Sequence, residues 1–372
     1  MRRFTGALLG STVMVAASFS SAGAPPGKSN GSLDVGPQEI VLNKAERDRL
    51  GLKWFCDGNL GVLGTNGEWL TYAANGSSPV RVRWTHDLRV KAVENVRIAT
   101  SDSTFNYLAG GPVYRDPATG KLLLFYHAER HRGTARNFYS VLGLAIQTDP
   151  AGLEFKDLGL IYRAHLPPEK AERSVEVGGG AYMIRDGFLY VYARDTREDG
   201  GAPISLSVAR ARLSDVMAAA LQGRAAEWKK YFEGAFSEPA IGGRSSALEA
   251  GNPQTRWFDV AYNTVARKCL LVVAANTSSN AVGLFAAWSE DGIRWSARTP
   301  LAVEQSELFY PSIVDVGANA PRQCGGEFWV YYTRSEAGGW NRWGDAAIAR
   351  RRIRVYPAGE VIGGPPGGSK GG

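Results

Sequence analysis

The feature that most constrains this 372-residue chain is a fivefold rhythm. A Gly-containing turn is followed by a short run rich in aromatic and branched residues. The runs are Trp69–Ala73, Leu122–His127, Phe188–Ala193, Leu270–Ala275 and Phe328–Thr333. Hairpin signals precede four of them: Asn66-Gly67, Asp116 to Gly120, Asp186-Gly187 and Gly325-Gly326. A further short strand precedes each run. Small apolar strands follow most, at 141–146, 204–209, 282–287 and 346–349. A meander of three or four antiparallel strands buries its faces only against its neighbours, so five such units predict a closed, five-bladed β-propeller. A jelly roll or sandwich is the alternative arrangement of so many short strands.

Composition agrees with this all-β reading. Gly 45, Trp 10, Tyr 15 and Phe 14 beside Met 4 favour turns and pleated surfaces over helices. One segment departs from the rhythm. Ser214, as N-cap, opens an alanine-rich stretch running towards Trp228, which predicts a helical insertion between blades three and four. Arg2-Arg3, the apolar run Ala7 to Ala17 and Ala22-Gly23-Ala24 have the pattern of a signal peptide over 1–24. A flexible lead-in (25–36), a single propeller domain (37–358) and a Gly/Pro-rich tail (359–372) complete the expected organisation, and the protein is expected to be secreted or periplasmic. The net charge of +7 is too small and scattered to suggest nucleic acid, and no segment suggests a membrane partner. Cys56, Cys269 and Cys324 fit no zinc spacing, and export would permit one disulfide pair.

Two stretches carry a family resemblance. One is Gly143–Ile146 running through Asp149, Gly152, Phe155 and Leu158 to Tyr162; the other is Ala286 to Trp295. Both are similar to the outer-strand hairpin of the five-bladed β-propeller glycosidases: arabinanases, β-xylosidases and invertases. The second also resembles a sialidase Asp-box, without the residue which that motif places between Asp and Gly. The resemblance implies a secreted glycoside hydrolase or transglycosidase acting on furanoside-type or related saccharides through paired carboxylates in the central funnel. A non-catalytic exported propeller that binds glycan or protein is the alternative.

In a propeller the starts of the innermost strands face the funnel, so acids are sought just ahead of each repeat. Asp57, Glu176 and Asp259 each lie twelve residues before a run residue, Trp69, Phe188 and Leu271. The resemblance implies Asp57 as base or nucleophile, and Glu176 and Asp259 as pKa modulator and proton donor in an order left open. The usual order in such enzymes is Asp, Asp, Glu, with Pro after the first Asp; here it is Asp, Glu, Asp, with Gly58. Glu249, ahead of Asn252-Pro253, is a reserve candidate for the acid. Trp54, Tyr107, Trp257, Phe309 and Tyr310 are candidate sugar platforms; Asn106, Asn252, Arg256 and Asn263 are candidate hydroxyl ligands. Arg115-Asp116-Pro117 resembles an invertase triplet but reads first as a hairpin turn. No cofactor is required. His127 reads as a hydrogen-bonded core histidine, and the resemblance offers a structural calcium in the channel as the alternative.

Overall fold

A computed structural model describes residues 32–356, apart from 66, 249–254, 278–281, 305, 316–321 and 336–342. Among the described residues, twenty-three strands form five mainly antiparallel sheets. Blade one contains Gly61–Thr65, Glu68–Asn75, Ser78–Thr85 and Val90–Asn95. Blade two contains Tyr107–Arg115, Leu122–Arg132, Thr134–Gln147 and Glu154–Tyr162, with Arg97–Ala99 added parallel at its outer edge. Blade three contains Ala181–Arg185, Phe188–Asp195, Ile204–Arg212, Lys229–Phe232 and Ala235–Pro239. Blade four contains Thr255–Asn263, Lys268–Asn276, Val282–Ser289 and Thr299–Val303. Its inner edge carries the short parallel strand Gln323–Cys324. Blade five contains Glu307–Asp315, Glu327–Ser335 and Ala347–Tyr356.

Every one of the five aromatic runs is the second strand of a blade. That position has a blade face on either side, which is why apolar side chains fill it without alternation: Leu122 to Tyr126 and Leu270 to Ala275 are all buried. The turns behave as their residues require. Asp186 and Gly187 both have positive φ (51° and 74°), the conformation a two-residue hairpin needs. Asp116 accepts from the Thr119 amide and hydroxyl, so Arg115-Asp116-Pro117 is a turn. In the Ser289–Trp295 hairpin, Asp291 Oδ1 accepts from the amides of Ile293 and Arg294, which makes it a structural loop as well.

Three expectations are corrected. Residues 32–36 are not a flexible lead-in. Ser32–Leu42 is the outermost strand of blade five, pairing from Ser32 with Tyr356 to Leu42 with Ile348, and it closes the ring by joining the first described strand to the last. The helix, Leu213–Leu221, starts one residue before Ser214 without a side-chain cap. It connects the third and fourth strands of blade three rather than blades three and four, and Ala235–Pro239 beyond it is that blade's outermost strand. The three cysteines are buried and unpaired. Burial pushes the Cys56 thiol up to about 11 and that of Cys324 up to about 12, so neither is a nucleophile at neutral pH. The expected leader (1–24) and tail (359–372) lie outside the described residues.

Asn59 seals the ring axis. It is 2% exposed, and its Nδ2 donates to the carbonyls of Phe258 in blade four (3.0 Å) and Pro311 in blade five (2.9 Å). Gly111 of blade two and Gly179 ahead of blade three complete the circle. A Cβ at Gly111 would stand 2.3 Å from the Asn59 carbonyl oxygen, and one at Gly179 would stand 2.5 Å from Asn59 Oδ1. Asn59 thus meets blades four and five and the loop before blade three through its side chain, and blade two through its own carbonyl.

Candidate active site

The innermost strands run away from the funnel, so residues just before them line it. Asp57, two residues before Asn59, is anchored by its amide donating to the Ala74 carbonyl. Its carboxylate receives two phenols from flanking blades. Tyr107 of blade two donates to Oδ2 (3.0 Å), and Tyr310 of blade five donates to Oδ1 (3.1 Å). Burial pushes the Asp57 carboxyl up to about 6, against the lowering effect of the two phenols. Tyr310 holds its place through a left-handed backbone (φ 49°) and an aromatic cluster with Trp257, Phe309 and Trp343. Both phenols are raised well above the ordinary tyrosine range, by burial and then by the neighbouring Asp57, with Glu176 contributing to each.

Glu176 approaches the same cluster from the loop before blade three. Its Oε1 accepts from the Gly178 amide (2.6 Å) and the Ser140 hydroxyl (3.4 Å). His127, in the second strand of blade two, lies 3.8 Å from that oxygen and stacks edge-on to Tyr107. Its Nδ1 is 2.9 Å from the Gly178 carbonyl and its Nε2 is 2.8 Å from Glu129 Oε1. The second oxygen of Glu129 meets His131 Nε2 at 2.5 Å. Burial opposes ionisation of Glu129, but His127 and His131 outweigh it and lower its carboxyl.

His127, Glu129 and Glu176 bring three ligand-type atoms within 4.8 Å of one another, the tightest such grouping among the described residues. They do not fit the calcium suggested by the resemblance. Calcium takes six to eight oxygens. Here there are two carboxylates and an imidazole whose two nitrogens are both spent on hydrogen-bond acceptors.

The structure does not bring Asp259 to this cluster. It lies in the middle of the inner strand of blade four, fully buried, with Oδ2 accepting from the Ile313 amide and from Arg322 Nη1, each at 2.7 Å. Burial raises its carboxyl, and the Arg322 guanidinium opposes that rise. Arg322 and Ile313 face a pocket of about 380 Å³ at the opposite mouth, lined also by Leu60, Val113 and Tyr182. Twelve residues is the wrong offset in blade four. Its turn spans 264–267 and its inner strand nine residues, against a two-residue turn and five-residue strand in blade three.

The remaining candidates separate by position. Trp54 is 42% exposed beside the Asp57 loop, with Lys53 Nζ 5.3 Å from its ring centre. Asn106 spends its side-chain oxygen on the His131 amide. Trp257 packs against Phe309 and Tyr310. Asn263 is buried at the far end of its strand, bonded to Gly325, and so cannot hold a sugar in the funnel. Asn252 and Glu249 lie outside the described residues. Glu129 and His131 went unnoticed in the sequence; their alternation with His127 along one strand was the available signal.

No protein-family model matches the sequence, and no curated protein matches it. Solved structures do match in fold. The catalytic domain of a family GH62 α-L-arabinofuranosidase from Coprinopsis cinerea is 12% identical over 88% of this chain and 97% of that one, with a TM-score of 0.52. A Podospora anserina α-L-arabinofuranosidase, solved with cellotriose, is 12% identical over 86% and 96%, with a TM-score of 0.55. A Bombyx mori GH32 β-fructofuranosidase is 10% identical over 84% and 68%, with a TM-score of 0.50. The chain has the five-bladed β-propeller fold of these glycoside hydrolases. Among the described residues no helix is long and apolar enough to cross a membrane.

Proposed function

We propose that the protein is a glycoside hydrolase whose funnel cleaves a furanoside-type or related saccharide, with Asp57 as the base that activates water. The observation that carries this reading is the Asp57 carboxylate, its pKa pushed up to about 6, held by two phenols and sharing their surroundings with Glu176. A partly buried carboxylate poised within a unit or so of working pH suits general-base chemistry. Each oxygen accepts from one phenol and keeps a lone pair for water. Glu176, fixed by the Gly178 amide and next to His127, serves as the modulating carboxylate. The proton donor is Glu249, assigned from sequence position: it stands six residues before the inner strand of blade four, as Asp57 and Glu176 stand four and five before theirs. The furanoside class rests on fold neighbours named as arabinofuranosidases and a fructofuranosidase. Trp54 is the exposed aromatic face for a sugar ring, and export follows from the 1–24 pattern. The test is release of reducing sugar from arabinans, xylans and fructans. Release that Asp57→Asn and Glu249→Gln each abolish supports the reading; release unaffected by Asp57→Asn, or none from any substrate, overturns it.

A further inference from the structure

We propose that His127 is held as an imidazolium and is the fixed cation of the funnel, a positioning residue that holds the Glu176 side chain in place. The hydrogen-bond geometry requires this. The Gly178 carbonyl can only accept, so Nδ1 carries a hydrogen. Glu129 is a carboxylate wedged between two histidines and also only accepts, so Nε2 carries the other. A neutral imidazole would leave one of these two contacts without a hydrogen. The cation so formed lies 3.8 Å from Glu176 Oε1.

The groups facing His127 include three carboxyl groups. Glu129 and His131 share its strand, Glu176 approaches from the blade-three loop, Asp57 from the blade-one loop, and the phenols of Tyr107 and Tyr310 from blades two and five. Burial of His127 opposes its charge, but Glu176 and Glu129, with the Gly178 carbonyl, outweigh burial and push it up to about 9. A protonated side chain therefore stands where a metal ion would otherwise balance the carboxylates. The consequence for catalysis rests on the glycosidase reading: the cation fixes the position of the Glu176 side chain at the funnel.

The experiment is ¹⁵N NMR of histidine-labelled protein, which has only four histidines, His86, His127, His131 and His165. His127→Gln assigns one set of signals. At pH 7.5 both nitrogens of His127 should carry protons, although a free histidine is then largely neutral. Adding calcium chloride should leave them unmoved. Glu176→Gln, which keeps His127 and assigns the signals if His127→Gln fails to fold, should lower the pH at which the second proton leaves by about one unit. One bare nitrogen at pH 7.5, a calcium-dependent shift, or an unchanged titration in Glu176→Gln would each overturn the proposal. The spectra need no substrate, so failure to cleave any sugar would remove the hydrolase reading and leave this result standing.

Discussion

The hydroxyl of Tyr310 donates to Asp57 Oδ1 at 3.1 Å across the junction of the last blade and the first. The ring closure made by Ser32–Leu42 and Ala347–Tyr356 holds those two blades together, so the strand that completes the fold also sets the site. A hydrogen bond to a charged group contributes about 1.5–3 kcal/mol. Tyr310→Phe should therefore raise the Asp57 pKa by about one unit and move the acid limb of the kcat/KM profile upward by the same amount. Wild type should lose activity as pH falls through about 6, because protonated Asp57 cannot accept the proton of water. A profile that instead falls above pH 6 would make Asp57 the acid.

The same residue weakens the fold. The folded pKa of Asp57 is raised above its value of 3.8 in the unfolded chain, so the native state binds its proton more tightly. Stability is lost as pH rises from about 4 to about 6 and stays lost above that. Asp57 is only partly buried, so the loss at neutral pH is about 2 kcal/mol. Asp57→Asn should be inactive yet melt several degrees higher at pH 7, and the gain should vanish near pH 4. Calorimetry at the two pH values checks both parts.

What the sequence disclosed follows from burial. The second strand of a blade has neighbours on both faces, so its apolar run is continuous and visible in Leu122 to Tyr126 or Leu270 to Ala275. The closing strand was hidden because Gly36-Pro37 interrupts it and much of it faces solvent. Asp57, Glu176, Tyr107 and Tyr310 were legible as neighbours of strand starts, but the two tyrosines read as sugar platforms. Only the coordinates show their hydroxyls on one carboxylate. Asp259 was misplaced because turn length and strand length change together in blade four, and spacing in sequence does not separate them.

Asp259 has its own expected outcome. It and Arg322 form a buried pair, 0% and 7% exposed in their side chains. Removing one partner strands the other charge, which costs about 3–5 kcal/mol. Asp259→Asn should lower the urea midpoint sharply while the folded fraction keeps its specific activity. Asp259→Leu with Arg322→Met should recover much of the loss. Loss of activity without loss of stability would return Asp259 to the catalytic group.

Asn59 offers a sharper test of how fold and site are joined. Its amide satisfies the Phe258 and Pro311 carbonyls, and Gly111 and Gly179 leave room for nothing larger around it. Asn59→Ala leaves two buried carbonyls without a donor, at roughly 1–3 kcal/mol each. Asn59→Leu adds bulk where Oδ1 already sits in the space a Cβ on Gly179 would take. The alanine variant should unfold at lower urea by an amount equivalent to about 2–6 kcal/mol. It should also lose activity beyond its loss of stability, because Asp57 is two residues away and Gly179 adjoins the Gly178 carbonyl that holds His127. Activity per folded molecule equal to wild type would show that Asp57 and Glu176 are positioned independently of the axis.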